Sequence, residues 1–123
     1  MSNEEDFTGK FLTNLDRLTD FFRSGAINVK KNLGLEGLLK DIIGREKPLR
    51  MLQNLAVSHY LNDPIINKGF NIMLEQISYY KKQLTELNEE SNKNSNIYFN
   101  SGIFANGYFM VENRLKELLA KSI

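Results

Sequence analysis

Apolar residues between positions 64 and 90 recur in a heptad pattern that has no break. The spacings are 4, 3, 4, 3, 4 and 3 residues, and the positions are Ile66, Phe70, Met73, Ile77, Tyr80, Leu84 and Leu87. This spacing is typical of the buried seam of a long α-helix that packs against another helix, as in a coiled coil. Asp63 is a candidate N-cap, and Pro64 suits the first helical position, so the pattern predicts a helix over 64–90.

A second heptad pattern fills the end of the chain. Its positions are Ile97, Ser101, Phe104, Tyr108, Val111, Leu115, Leu118 and Ser122. The stretch 88–96 between the two patterns contains no apolar residue, which is typical of a frayed helix end followed by an exposed loop. Two helices of similar length, over about 64–90 and 97–121, therefore predict an antiparallel αα-hairpin.

The N-terminal half predicts shorter helices. Residues 3–23 form the first, with apolar positions Phe7, Phe11, Leu15, Leu18 and Phe22. A second helix is expected over 35–43, where Ile43 belongs to its apolar stripe and Gly44 ends it. Pro48 is expected to open a third, which includes Leu55 among its apolar positions and runs to residue 60 or 61. The stretch 26–32 fits either a short helix or a loop.

The fold expected from these patterns is all-α and bundle-like. Three to four shorter N-terminal helices, in residues 1–61, would pack against the long hairpin in residues 62–123. A length of 123 residues fits a single domain. Hydrophobic residues make up 41% of the chain and charged residues 25%, which is ordinary for a globular protein.

The first half of the last predicted helix has more apolar surface than one hairpin partner can bury. Beyond the heptad seam, a second set of residues forms a candidate protein interface: Tyr98, Phe99, Gly102, Ile103, Phe109 and Met110. A helix that is apolar on all sides must be covered on all sides. Either the N-terminal helices wrap this segment or another subunit covers it, and the sequence leaves both alternatives open.

Catalytic, metal and cofactor chemistry have little support in the sequence. The chain has no cysteine, and His59 is its one histidine, so neither a catalytic triad nor a zinc site can be completed. We expect His59 to be partly buried with one hydrogen bond. The acidic cluster Glu86, Glu89 and Glu90 is expected to be a solvated face. Gly102 and Gly107 lack the Lys-Ser/Thr of a phosphate-binding loop and are better explained by close helix packing.

A basic stretch supplies an alternative function. Two short helices joined by a tight turn within 35–61 resemble a helix-turn-helix in outline, and Arg45, Lys47 and Arg50 could contact phosphates there. The net charge of the whole chain is only +1, which counts against a dedicated nucleic-acid binder. DNA association is therefore the second choice.

The preferred prediction is a non-enzymatic assembly or adaptor protein that acts through protein–protein contacts, as a homo-oligomer. Its architecture loosely resembles small phage assembly proteins such as terminase small subunits and head–tail connector components. The 15 asparagines, with many Lys and Ile, have AT-rich codons and suggest a phage or a low-GC bacterium. Without cysteine, a signal peptide or a bilayer-spanning stretch, the expected location is cytoplasmic, or the virion for a phage protein, with no membrane partner.

Overall fold

A computed structural model describes residues 3–24, 34–89 and 101–122 of the chain. These residues contain four helices that pack together, and no strand: α1 (Asn3–Arg23), α2 (Gly34–His59), α3 (Pro64–Glu89) and α4 (Ser101–Ser122). The all-α prediction is confirmed. The ambiguous stretch 26–32 and the predicted start of the last helix at residue 97 lie outside the described residues.

The helices α1 and α3 begin as the sequence predicts. Asp63 caps α3, because its Oδ1 accepts hydrogen bonds from the backbone N–H groups of Ile65 and Ile66 at 3.0 and 3.1 Å. Six positions of the predicted seam of α3 are buried: Ile66, Phe70, Met73, Ile77, Tyr80 and Leu84. The side chain of the seventh, Leu87, lies outside the described residues. The helical period therefore identified the packing face of α3 correctly.

The predicted break between Gly44 and Pro48 is wrong. Instead, α2 runs without interruption from Gly34 to His59 with Pro48 inside it. A proline within a helix costs about 3 kcal/mol relative to alanine. Ile42 and Leu49 are buried on either side of the predicted break. Each stabilises the fold by about 1.5–3 kcal/mol, so the packed face can offset the proline. The described N-terminal residues thus hold two helices rather than three or four.

A turn in the left-handed region ends α2 and turns the chain toward α3. Leu61 and Asn62 have φ values of 53° and 59°, and the N–H of Asn62 donates to the carbonyl oxygen of Val57 at 2.9 Å. This bond is the long-range one of a Schellman-type helix end, which satisfies an otherwise unpaired carbonyl. The connection from α2 to α3 is therefore short and well hydrogen-bonded.

Two glycines bring the backbones of α3 and α4 together. A Cβ atom added at Gly69 would lie 2.7 Å from the carbonyl oxygen of Gly107, and one added at Gly107 would lie 2.7 Å from that of Gly69. Any larger residue would force the helices apart. The prediction that Gly107 serves close helix packing is confirmed. Gly102, in contrast, is exposed.

Aromatic rings join three of the helices in the core. The ring of Phe22 on α1 stacks on Phe104 of α4 with 4.9 Å between centroids, and on Tyr80 of α3 with 6.5 Å. All three side chains are fully buried. Backbone neighbours are α1 with α2, α2 with α3, α3 with α4, and α4 with α1. Among the described residues, no helix combines the length and the low polarity that crossing a bilayer requires.

Candidate protein interfaces

The first half of α4 is free of charge. No charged residue occurs between positions 94 and 111 of the sequence. In the first three turns of α4 the exposed residues are Gly102, Ile103, Asn106 and Phe109. At 100° per residue they lie within an arc of about 120° centred on Asn106. We call these four residues the α4 face.

Two bulky apolar side chains of the α4 face are exposed to solvent. Ile103 is 42% exposed and Phe109 is 47% exposed. The rest of this part of α4 is covered from within the chain, because Phe104, Tyr108 and Val111 are buried and Met110 is half-buried against Gly69. Tyr98 and Phe99 lie outside the described residues. The helices therefore cover the described seam of α4 and leave three of the four described interface residues, Gly102, Ile103 and Phe109, at the surface.

A polar cluster on the inner side of α4, away from the α4 face, holds this helix against α1. The hydroxyl of Tyr108 donates to Glu112 Oε2 at 3.0 Å, and the guanidinium of Arg23 lies over the Tyr108 ring at 4.0 Å. Arg23 also pairs with Asp16 on its own helix. Burial and the hydrogen bond to Glu112 raise the pKa of Tyr108 to about 12. The contacts of the neutral Tyr108 side chain thus hold the first half of α4, which carries the α4 face, in place against α1.

Arg45, which the sequence offers as a phosphate contact, makes several contacts within the chain. Its Nη1 donates to Asp20 Oδ1 at 3.1 Å and to the carbonyl oxygen of Leu18 at 3.2 Å, both on α1. Its Nε donates to Asp41 Oδ2 at 3.3 Å, and its guanidinium lies 5.0 Å from the centre of the Phe21 ring. Because Nη1 bonds to α1 and Nε bonds to α2, the guanidinium of Arg45 joins the two helices.

The helix-turn-helix geometry is also absent from the described part of the chain. The predicted turn falls inside the continuous helix α2, so residues 35–61 do not form two short helices around a turn. Lys47 and Arg50 remain exposed on the outer side of α2. The sequence grouped them with Arg45 as phosphate contacts, and the structure separates them from it.

The same outer side of α2 carries apolar side chains that sequence reasoning missed. Met51 is 63% exposed, Ile43 is 51% exposed and Leu55 is 45% exposed. The prediction that Ile43 and Leu55 belong to the buried stripes of two helices is wrong. In one continuous helix they lie outside the buried stripe that contains Ile42 and Leu49. Applying a single helical period across Pro48 could have revealed this surface.

The histidine is placed differently from the prediction. His59 lies at the exposed end of α2, and its ring stacks on Phe7 with 3.8 Å between centroids and 14° between planes. It is therefore exposed rather than partly buried. A groove of about 220 Å³ beside it is lined by Thr8, Tyr60 and Leu118 together with three neighbours, and is mainly apolar. The described residues contain no group of three His, Cys, Asp or Glu side chains that could hold a metal ion.

The acidic cluster at the end of α3 is described only in part. Glu86 is exposed, whereas the side chain of Glu89 and all of residue 90 lie outside the described residues. The exposure of Glu86 agrees with its expected place on a solvated face.

Comparison with known proteins gives no information about function. Protein-family models, curated proteins and solved structures all give no match to this chain. The surfaces described above are therefore the basis for the functional argument.

Proposed function

We propose that this chain is a non-enzymatic assembly or adaptor protein that forms a homo-oligomer through the α4 face. The observation that carries this proposal is the exposure of Ile103 and Phe109 on a helix surface without charge. Charged residues are depleted at the centres of protein interfaces, and aromatic residues are enriched there. An apolar surface of this kind on a folded helix favours a protein partner.

A second copy of the chain is the partner that fits this face best. In a two-fold symmetric dimer the same patch meets itself, so any charge in the patch would approach a like charge. The α4 face has no charge to oppose this approach. Gly102 lacks a side chain, so the helix of a second copy can come close to the backbone there. Phe109 supplies the bulky anchor that such interfaces use.

The scaffold we propose for this face is an antiparallel helical bundle whose long hairpin is α3 and α4. Contacts between the two helices support it, because Asp63 at the start of α3 pairs with Arg114 late in α4, whereas Ile72 lies against Gly107. The order of residues is thus opposite in the two helices. A rigid helix surface loses little conformational freedom when a partner binds it.

The proposal is tested by measuring the mass of the protein in solution. We expect wild-type protein to form an oligomer, and we expect the double variant Ile103→Glu/Phe109→Glu to be monomeric, because each interface would then bury unpaired carboxylates. Size-exclusion chromatography with light scattering gives the mass, and circular dichroism checks that the helices remain. Both positions are exposed, so the variant is expected to fold.

Tyr79→Glu is the matched control, since Tyr79 is an exposed aromatic residue on α3. This variant is expected to keep the wild-type mass. A wild-type protein that stays monomeric at high concentration would contradict the proposal. An oligomer that survives the double substitution would contradict the assignment of the interface to the α4 face.

A further inference from the structure

The outer side of α2 has a second surface, which differs chemically from the α4 face. Between positions 40 and 58, exposed side chains of α2 include three basic and three apolar residues: Lys40, Lys47, Arg50, Ile43, Met51 and Leu55. We call these six residues the α2 face. From Ile43 to Leu55 it extends over about 18 Å, at 1.5 Å per residue.

The acidic residues of the same stretch do not neutralise this face. Asp41 and Glu46 are the two acids between positions 40 and 58. Asp41 accepts a hydrogen bond from Arg45, and Glu46 Oε1 accepts one from Lys81 Nζ of α3 at 2.8 Å. Both carboxylates are thus used in contacts with bases at the edges where α2 meets its neighbours. The outward side keeps the positive charge.

The basic side chains of the α2 face are available to a ligand. Among the described residues, neither Lys40 nor Lys47 has a carboxylate within ion-pair distance. Arg50 has one, with its Nη2 at 3.9 Å from Glu46 Oε2, and its side chain remains 54% exposed. An exposed pair at that distance contributes little. A ligand with carboxylates could therefore pair with all three basic side chains, and only the weak ion pair between Arg50 and Glu46 would be lost.

The α2 face also lies away from the surface proposed for self-association. The backbone neighbours of α2 are α1 and α3, and those of α4 are the same two helices. In the described residues α2 and α4 thus occupy opposite corners of the structure. Their outward sides point in opposite directions, so occupation of one face leaves the other open.

We propose that the α2 face binds an acidic amphipathic helix of a partner protein. Ile43, Lys47, Met51 and Leu55 follow one another at spacings of four residues, so Lys47 lies within the apolar row, and Lys40 and Arg50 lie beside it. The apolar side of the bound helix would bury Ile43, Met51 and Leu55, and its carboxylates would pair with these three bases. This is the helix-on-apolar-surface mode of recognition, with charges that fix the orientation of the bound helix. The proposal extends the proposed function from one interface to two and rests on different residues.

Two other polyanions fit the face less well. The phosphates of a nucleic acid would pair with Lys47 and Arg50 but would leave the exposed Ile43 and Met51 facing a charged backbone. A helix that inserts into an anionic membrane separates its apolar side from its basic side, whereas on the α2 face Lys47 lies between Ile43 and Met51. The combination of apolar and basic side chains on one straight helix favours a helical peptide.

The test measures binding of a peptide probe to the full-length protein. The probe is a fluorescein-labelled peptide of about 18 residues with leucine on one helical face and glutamate on the other, which is long enough for the proposed face. Saturable binding is expected from fluorescence anisotropy. Lys47→Glu and Met51→Glu should each weaken the affinity for the probe about tenfold. The first reverses a charge of the α2 face, and the second places a negative charge among its apolar side chains.

Matched controls come from α4, α3 and the peptide. Lys116→Glu changes an exposed base on α4, which has no backbone contact with α2, and Tyr79→Glu changes an exposed aromatic residue on α3. Each should alter the affinity less than twofold. A peptide of the same composition with its leucines scattered around the helix should bind at least tenfold more weakly. Circular dichroism verifies the fold of each variant.

Several results would overturn the proposal. It is wrong if the probe does not bind, or if the scrambled peptide binds equally well. It is also wrong if a DNA duplex or phosphatidylglycerol vesicles bind more tightly than the probe and lose binding with Lys47→Glu. None of these results depends on the mass of the protein. Failure of the α2 face is therefore distinguishable from failure of the α4 face.

Discussion

At the scale of single residues, Asp63 makes the most consequential polar contacts of the structure. One carboxylate oxygen caps α3, and the other accepts a hydrogen bond from Arg114 Nε at 3.0 Å and forms an ion pair with Arg114 Nη2 at 2.9 Å. The side chain is only 9% exposed. Burial acts to raise its pKa, but the Arg114 hydrogen bond, the two backbone N–H donors and the charge of Arg114 outweigh burial, so the pKa of Asp63 is lowered from 3.8.

This lowered pKa predicts a pH-dependent contribution to stability. Because the folded-state pKa lies below the unfolded value, the contribution is present above about pH 4 and is lost as the pH falls through the folded pKa. At pH 7 we expect Asp63→Asn to lower the free energy of unfolding by about 2 kcal/mol, since Arg114 then lacks its buried counter-charge. The loss should largely disappear at pH 2. Urea titrations of both proteins at the two pH values measure it.

Asp20→Asn is the control for that experiment. Asp20 also pairs with an arginine, Arg45, but its side chain is 63% exposed. Exposed pairs contribute about 0–1 kcal/mol, so its substitution should matter much less. An equal loss of stability from Asp63→Asn at both pH values would show that shape, rather than charge, explains the effect.

Residues of this kind mark the limit of sequence reasoning. Asp63 was predicted as a helix cap because the signal is local: an aspartate stands directly before Pro64 and an apolar repeat. Its partner Arg114 is 51 positions away, and no spacing rule connects them. The contacts of Arg45 with Leu18 and Asp20 were not predicted for the same reason, because they exist only after α1 and α2 have packed.

At the scale of helices, α2 shows how packing overrides a local signal. The pair Gly44 and Pro48 reads as a helix stop followed by a helix start, and each assignment follows a sound propensity rule. A proline at position 48 removes only one backbone hydrogen bond, the one that would reach the carbonyl oxygen of Gly44. The buried face on both sides of it keeps the helix continuous.

This explanation predicts that Pro48 is a cost to the fold. We expect Pro48→Ala to raise the free energy of unfolding by about 1–2 kcal/mol, less than the full proline penalty because the substitution also makes the unfolded chain more flexible. Thermal or urea unfolding measures the gain. Pro64→Ala, at the first position of α3, is the control and should have an effect within about 0.5 kcal/mol.

A neutral or destabilising Pro48→Ala would point to another role for the ring, such as packing or a required bend in α2.

The wrongly predicted break in α2 also concealed the α2 face at the level of sequence. With two short helices predicted in place of one, Ile43 and Leu55 were each assigned to the apolar stripe of a different helix. The exposed apolar residues on α4 were easier to predict, because that helix has an unbroken heptad seam and apolar residues outside the seam stand out in the sequence.

At the scale of the whole molecule, the arrangement of the helices separates two chemically different surfaces. The α4 face is uncharged, and we propose that it meets a second copy of the chain, whereas the α2 face combines positive charge with apolar side chains. Neighbour contacts place α1 and α3 between them. The sequence could supply the helices and much of the α4 face. The separation of the two surfaces depends on which helices are neighbours, and periodicity alone does not determine that.

The separation predicts that the protein can bind a second copy and an acidic helix at the same time. In light scattering with excess peptide probe, the mass of the protein oligomer should rise only by one probe per chain. The Ile103→Glu/Phe109→Glu variant should bind the probe with unchanged affinity although it is monomeric. If probe binding instead dissociated the oligomer, the two surfaces would overlap, and the assignment of self-association to α4 and of acidic-helix binding to α2 could not both hold. Independent occupation is what an adaptor requires, because it lets an assembled set of chains present several copies of the α2 face to one partner and gain avidity.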